Sequence, residues 1–169
     1  CLTGCSTVSI EKPAAHNGHL DLGQWNFQRN GGIDLDGEWY FFWDELLGPD
    51  EIDSRLSRTD AGFFKLPSTW NHFEVDGVPL NGKGFATFAL VITLPEQYPP
   101  LSLKIGEVLT SYSLWLNGLK VSTRGVTGKD RATSRPESLK DIIRIPADTQ
   151  RVELVLQVQE VLVRLQVRI

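Results

Sequence analysis

Short runs of aromatic and β-branched residues, separated by Gly, Pro, Asn or Asp roughly every ten residues, fill the chain from Ile33 onward. Turn formers at this spacing favour a sandwich or a barrel of strands. No helical period of useful length interrupts the pattern, and the sequence has no internal repeat. The sequence therefore predicts an all-β domain, with strands at 37–43, 85–94, 101–105, 142–145 and 152–158.

The clearest local signal is the pair Asn117 and Gly118, which stands between the strand-like runs 113–116 and 119–121. Asn and Gly tolerate the positive φ angles of a type I′ turn, so the segment predicts a β-hairpin. The following stretch, 123–140, is rich in charged and hydroxyl side chains and contains Gly and Pro. We expect it to form a long exposed loop.

One short surface helix is predicted at residues 50–56. Pro49 suits the first position of a helix, where its missing N–H costs nothing. Asp50 and Glu51 follow it and suit the positive end of the helix dipole. The sequence thus predicts a β-sandwich with a single short helix.

Size and charge narrow the classes of protein to which the chain can belong. With 169 residues, of which 41% are hydrophobic and 22% charged, it suits one globular domain. The net charge is -4 and Lys and Arg form no block, which argues against a nucleic-acid partner. No run approaches the roughly 20 apolar residues of a membrane helix, and no motif calls for a cofactor. Since the chain lacks methionine and stops inside an apolar run, we expect it to be a fragment of a longer protein.

Both cysteines lie within the first five residues, so neither belongs to the predicted core. The tetrapeptide that ends at Cys5, LTGC, has the form of a bacterial lipobox, although a chance match is the alternative. It predicts that Cys5 is lipidated, that residues 1–19 are the end of a signal and a flexible tether, and that residues 20–169 are the domain. The protein would then be exported to the cell envelope and held at the outer face of the cytoplasmic membrane.

Four short motifs occur in an order that resembles a known jelly-roll module. That module is the extracellular domain of bacterial seven-transmembrane receptors that carry diverse intracellular signalling modules. The same order is similar, more loosely, to the sugar-binding jelly roll of family 2 glycoside hydrolases. Two further tracts, LDLGQWNF (20–27) and WDELLGP (43–49), favour the receptor module. The four motifs are LDGEW (35–39), LPSTWN (66–71), GFATF (84–88) and WLNG (115–118).

The resemblance covers residues 20–158 and implies a galactose-binding-like β-sandwich. It also implies an exported topology, signalling through a membrane domain that follows, and no catalytic residue within the module. After Gln157 the sequence departs from the family pattern. A polar loop and a closing strand are expected there, whereas residues 159–169 continue as alternating apolar and polar residues.

Catalytic and metal sites find little support in the sequence. Of the three histidines, His16 and His19 lie in the predicted tether and only His72 lies in the domain, so no nucleophile–base arrangement can be argued. His16 and His19 lack a third ligand nearby, which favours a polar tail over a metal pair. The run 34–37 (DLDG) resembles the opening of a calcium loop, but later ligands are missing and a strand corner explains it better.

Two segments are candidates for contacts with a small-molecule ligand, with carbohydrate as one possibility because an indole face stacks on a sugar ring. Trp39, Trp43 and Trp115 alternate within predicted strands and are expected to pack in the core. The first candidate segment instead lies in a turn-rich stretch and carries Trp70, Asn71 and His72. The second is the long loop, in which Arg124, Lys129 and Arg131 could meet an anionic or polyhydroxylated ligand.

Three functions share this predicted fold and stay open at the level of sequence. The favoured one is a non-enzymatic, ligand-sensing domain of a bacterial membrane signalling receptor. The second is the N-terminal sugar-binding domain of a family 2 glycoside hydrolase, in which catalysis takes place on a later domain. The third is a stand-alone lipoprotein binding module. Fold alone cannot separate these functions.

Overall fold

A computed structural model describes residues 11–58, 61–68, 73–80, 84–106, 111–124, 142–159 and 167–169. The described residues form twelve strands and two helices. The helices are α1 (Phe27–Asn30) and α2 (Pro49–Leu56). The strands are β1 (His19–Asp21), β2 (Gly37–Trp43), β3 (Gly62–Leu66), β4 (Glu74–Val75), β5 (Val78–Pro79), β6 (Phe85–Thr93), β7 (Ser102–Ile105), β8 (Ser111–Leu116), β9 (Leu119–Arg124), β10 (Ile142–Arg144), β11 (Arg151–Gln159) and β12 (Val167–Arg168).

Two sheets enclose the core. A seven-stranded sheet has the order β3-β2-β6-β11-β8-β9, with β1 added in parallel to the end of β6. A three-stranded sheet has the order β10-β7-β12, and β4 and β5 form a separate hairpin. Apart from β1, the strand pairs are antiparallel. The predicted all-β sandwich is confirmed.

The inner face of the large sheet is built from alternate strand residues, as strand geometry requires. Phe88, Leu90 and Ile92 of β6 are buried with Leu154 and Leu156 of β11. Leu103 and Ile105 of β7 belong to the same apolar cluster and bring the small sheet against it. Trp39 is 1% exposed and donates its indole N–H to the Leu35 carbonyl oxygen at 2.8 Å, which confirms its predicted core role.

The outer face of the large sheet is also covered, over part of its area, by α2. Phe42, Ala89 and Val155 point outward and form a second buried cluster with Leu47 and Ile52. Trp115 lies at its margin, with the Lys120 ammonium 5.1 Å from the centre of its ring. The predicted helix near 50–56 is therefore confirmed, with Pro49 at its start. The prediction of a single helix is corrected by α1, a four-residue turn before β2.

The predicted boundary between tether and domain at residues 19 and 20 lies too late in the chain. Ala15 is 3% exposed and pairs with Gly37 at the start of β2. Asn17 and Gly18 form a tight turn with φ angles of 47° and 74°. The Tyr40 ring lies directly against Gly18, where a Cβ would be only 2.1 Å from the ring. Backbone pairing thus holds His16 and His19 against the sheet. The folded domain therefore includes the chain from Ala15 onward.

The end of the chain closes the small sheet. β12 pairs with β7, and the backbone of Ile169 exchanges two hydrogen bonds with Ile33, at 2.8 and 2.9 Å. Ile169 is 6% exposed and joins the core. Val167 and Arg168 therefore form an edge strand of the small sheet. In the described part of the chain, neither helix has the length and apolarity needed to cross a membrane.

Candidate functional site

Most of the ligand-binding residues predicted from the sequence lie outside the described residues. These are Trp70, Asn71, His72, Lys129 and Arg131, together with the predicted lipidation site Cys5. Arg124 is described and ends β9, where it is paired in register with Tyr112. It stands at the far end of a six-residue strand from the Asn117–Gly118 turn, about 17 Å away at the usual rise per residue. The predicted contacts of all these residues stay predictions.

Two adjoining grooves lie at the opposite end of the sandwich, where β6 ends and β11 begins. The larger has a volume of about 1000 Å³ and is bounded by the connections 96–101 and 144–150. The smaller, of about 490 Å³, is bounded by residues 23–28 and by 95–99. Gln97, Tyr98 and Pro99 line both grooves and form the ridge between them. These volumes fall in or near the range of small-molecule sites.

The larger groove spans a crossing between the two sheets. One wall runs from β6 to β7, and the other runs from β10 to β11. Tyr98 fastens the walls together, since its hydroxyl donates to the Thr149 carbonyl oxygen at 2.7 Å and accepts from the Thr149 amide at 2.9 Å. Backbone bonds between Leu94 and Gln150 (2.7 Å) and between Ile145 and Leu101 (3.0 Å) lie on either side of this clasp. The walls are therefore held in place before any ligand arrives, which lowers the entropy cost of binding.

The wall of the smaller groove is the segment that follows β1. Trp25 and Phe27 are 6% and 7% exposed, so they anchor this segment in the core. The Trp25 indole N–H donates to the Gly31 carbonyl oxygen at 3.1 Å. The Asn26 side chain accepts from the Arg29 amide at 2.9 Å and fixes the turn into α1. The polar residues between and beside these buried anchors, Gln24, Asn26 and Gln28, are exposed and line the groove.

The two grooves differ in charge. The larger is lined by two carboxylates, Glu96 and Asp148, and by one guanidinium, Arg144. All three side chains are exposed to water. The residues that line the smaller groove are uncharged and include four amides, Gln24, Asn26, Gln28 and Gln97. Chemically, this end of the sandwich offers hydrogen-bond donors and acceptors around one tyrosine ring.

The histidine pair has its own partners on β2. His16 Nδ1 lies 3.1 Å from Glu38 Oε2, and His19 Nε2 lies 3.0 Å from the Tyr40 hydroxyl. Asp34, from the sequence that resembles a calcium loop, faces Arg168 at 4.0 Å. Within the ranges that the structure describes, no group of three or more His, Cys, Asp or Glu residues is arranged to hold a metal ion.

Sequence reasoning missed the groove residues. The strand pattern places Tyr98, Pro99 and Pro100 in the connection between the predicted strands 85–94 and 101–105 and predicts no further role for them. An aromatic residue beside two prolines is a rigid, surface-accessible group, and this signal could have singled out Tyr98. The amides at 24, 28 and 97 gave no such signal, because they converge only after three separate connections fold to one end of the sandwich.

Comparison with known proteins gives a likeness of structure without a likeness of sequence. No protein-family model matches the chain, and no curated protein matches it. Among solved structures it resembles the β-glucuronidase of Ruminococcus gnavus, with a TM-score of 0.51 and 17% identity over 76% of this chain. It also resembles that of Faecalibacterium prausnitzii, with a TM-score of 0.52 and 19% identity over 76%. The likeness shows the fold.

The matched enzymes are much longer than this chain. The chain spans 21% of the length of either β-glucuronidase, so the comparison concerns one sandwich of a larger protein. One of the matching Ruminococcus gnavus structures is a complex with D-glucuronic acid. What the enzymes bind and cleave is a property of those proteins.

Proposed function

We propose that the chain is the extracytoplasmic, ligand-sensing β-sandwich of a bacterial membrane signalling receptor, and that its ligand binds in the two grooves beside Tyr98. One observation carries this proposal. The tract 20–27, which favours the receptor module over the hydrolase domain, supplies β1 and the wall of the smaller groove. Leu20 and Leu22 are 1% and 0% exposed, so the tract is an integral part of the domain.

The second tract that favours the receptor module also has a structural role. Residues 43–49 lead from β2 into α2, which covers the outer face of the large sheet. Both tracts are thus parts of the folded domain that a tail or linker could not supply. The support for the receptor assignment is therefore a resemblance in tracts that form ordered elements of the domain.

A binding role suits the grooves better than a catalytic one. Glu96 and Asp148 are both exposed. Both carboxyls are open to water, whereas catalytic groups act most strongly in a site from which water is excluded. The walls are instead preorganised by the Tyr98 clasp. We therefore propose that the domain binds and reports a small molecule without transforming it.

The groove assignment is tested by a thermal-shift panel of sugars, small acids and amines with the full protein. A ligand at one hundred times its Kd stabilises the folded state by about 2.7 kcal/mol, which is a readily measured shift. Tyr98→Ala should abolish the shift, whereas Arg124→Ala, at the other end of the sheet, should preserve it. If Arg124→Ala or Trp70→Ala abolishes binding and Tyr98→Ala does not, the site lies elsewhere.

A second candidate is the sugar-binding domain of a family 2 glycoside hydrolase, and the structural likeness to two β-glucuronidases favours it. The coding sequence that follows residue 169 in the natural gene separates the two functions. Seven apolar spans are expected for the receptor. A long alternation of strands and helices with its own acidic pair would overturn the receptor proposal in favour of the hydrolase.

Export and lipidation at Cys5 form a separate part of the proposal, supported by the LTGC motif alone. Metabolic labelling with a palmitate analogue in a bacterial host, using the natural gene with its own leader, measures lipidation directly. Cys5→Ser should remove the label, and Cys1→Ser, four residues earlier, is the matched control that should retain it. Equal labelling of both variants would contradict attachment at Cys5.

A further inference from the structure

The smaller groove is distinguished by what its lining residues can and cannot recognise. Four primary amides face it, and no Lys, Arg, Asp or Glu is among its described lining residues. A primary amide both donates and accepts hydrogen bonds, as a hydroxyl does. A carboxylate only accepts, and it needs a cation or several N–H donors to replace its hydration. The amides suit hydroxyl groups, which both donate and accept, and the described lining offers no cation to offset the charge of a carboxylate.

Three of these amides are available to a ligand. In the described part of the chain, Gln24, Gln28 and Gln97 have no side-chain hydrogen bond, and all three are exposed. Asn26 differs, because its carbonyl oxygen already accepts from the Arg29 amide. The available amides come from both walls of the groove, two from the segment after β1 and one from the connection after β6. A ligand can thus be held from two sides without breaking any bond that the fold uses.

The aromatic ridge supplies the apolar contact that a ring of hydroxyls also needs. Tyr98 is half-buried, and its hydroxyl is bound to Thr149, so the ring is fixed in position. Pro99 lies beside it along both grooves. A rigid aromatic ring next to amides matches a sugar ring, which has an apolar C–H face and a polar rim.

The larger groove is continuous with the smaller one, and it too disfavours an anionic ligand. Its two carboxylates, Glu96 and Asp148, outnumber its one guanidinium, Arg144. An anionic ligand would meet net repulsion there. Because the two grooves share Gln97, Tyr98 and Pro99, a ligand with two rings can place one ring on each side of Tyr98.

We propose that the twin grooves bind a neutral, polyhydroxylated ligand, a disaccharide or longer neutral glycan, and discriminate against the corresponding uronic acids. This inference rests on the proposed function, which places the ligand beside Tyr98, and adds the chemical class of that ligand. It also separates this domain from a uronate-binding role, which the hydrolase alternative would suggest.

Matched pairs of disaccharides that differ only at C6 test the inference by isothermal titration calorimetry with the full protein. The pairs are galactobiose and digalacturonic acid, mannobiose and dimannuronic acid, and cellobiose and its diuronic acid. At least one neutral sugar should bind, and its uronic partner should bind at least ten times more weakly at 0.15 M salt. Gln24→Leu and Gln97→Leu should each weaken binding of the neutral sugar at least fivefold, since each removes the N–H donors and the carbonyl acceptor of one amide.

The sharpest test is a variant that changes the preference for a neutral sugar over its uronic acid. Gln97→Lys places a cation between the two grooves and should reduce the neutral-to-uronate ratio at least threefold. Thr123→Lys adds the same charge on exposed β9, at the other end of the sheet, and should leave the ratio unchanged. The three substituted positions, Gln24, Gln97 and Thr123, are exposed, so all four variants should keep the wild-type melting temperature.

The failure of this inference is distinguishable from the failure of the proposed function. Uronates that bind as tightly as their neutral partners, or Gln97 variants that leave the neutral affinity unchanged, would overturn the inference. The groove would still stand if Tyr98→Ala abolished that binding. Absence of binding by every sugar would also overturn the inference, and the thermal-shift panel with Tyr98→Ala would then decide the proposed function.

Discussion

Two neighbouring residues of the same type, Phe41 and Phe42, point to opposite faces of β2 and show how differently the faces are held. Phe41 is surrounded by aromatic rings, with Phe64 and Phe88 at 5.2 and 5.1 Å between ring centres. Phe42 lies under α2, with the Arg55 guanidinium 5.3 Å from its ring centre. The inner face is held by mutual packing of large apolar groups, and the outer face by one short helix.

Polar bonds supplement the packing on the outer face. Thr87 is fully buried, and its hydroxyl donates to the Glu45 carbonyl oxygen (2.7 Å) and accepts from the Leu47 amide (2.9 Å). The Gln157 amide donates to the Leu47 carbonyl oxygen at 3.0 Å. The chain between β2 and α2 is thus bonded to the sheet at defined points. These hydrogen bonds fix the position of that connection, whereas the inner face is stabilised by its buried apolar area.

The matched pair Phe41→Ala and Phe42→Ala tests this contrast between the two faces and should give the largest effect on stability. Phe41→Ala should lower the free energy of unfolding by about 3–5 kcal/mol, because rings from several strands cannot close the cavity. Phe42→Ala should cost less, about 2–3 kcal/mol, because α2 can settle into the gap. Urea denaturation followed by tryptophan fluorescence measures both. An equal or larger loss for Phe42→Ala would mean that α2 is held as rigidly as the core.

The polar attachment of the outer face is tested by Thr87→Val, which keeps the shape and removes the hydroxyl. The Leu47 amide and the Glu45 carbonyl oxygen then lose a partner, so the loss should be about 2 kcal/mol. Thr93→Val is the matched control on the same strand. Since Thr93 is exposed, its change should stay within about 0.5 kcal/mol. A similar small change for Thr87→Val would show that these bonds contribute little.

The same contrast explains which parts of the fold could be predicted from the sequence. The strands β2 and β6 and the turn at Asn117 and Gly118 follow from residues adjacent in sequence. The turn has φ angles of 48° and 80°, as a type I′ turn requires. Similar pairs at 17–18 and 76–77 also form turns with positive φ. They give a weaker signal, because clean apolar alternation does not flank them.

Pairing between strands that are far apart in the sequence cannot be predicted from the local pattern. β1 lies beside β6 through contacts such as Leu20 with Ile92, seventy-two positions apart, so no adjacent residue marks it as a strand. The continuous aromatic run 39–43 indicates that both faces of β2 are covered, but it does not identify α2 as the element that covers Phe42. The groove has the same origin, since its walls come from three separate connections. Arg124, the predicted ligand-binding residue that the structure describes, lies far from the groove.

The smallest expected effect on stability concerns Glu153, a charged residue on the outer face of the large sheet that is only 7% exposed. Burial raises the pKa of its carboxyl above the usual value of 4.5, the nearby Asp53 carboxylate adds to the rise, and the Arg151 guanidinium opposes it. A carboxyl with a raised pKa holds its proton more tightly in the folded state. Its contribution to stability therefore falls as the pH rises from 4.5 through the folded-state pKa.

Glu153→Gln keeps the shape and removes the charge, so the variant should match or exceed the wild-type stability at pH 7. The wild-type loss of stability between pH 4.5 and 7 should become shallower in the variant. Denaturation midpoints across this range measure both quantities, with Glu74→Gln on exposed β4 as the control that leaves the slope unchanged. If Glu153→Gln is instead destabilising at pH 7, the ion pair with Arg151 at 3.3 Å outweighs the cost of burial. The outer face would then depend on charge pairing as well as on neutral hydrogen bonds, and its contrast with the inner face would be sharper still.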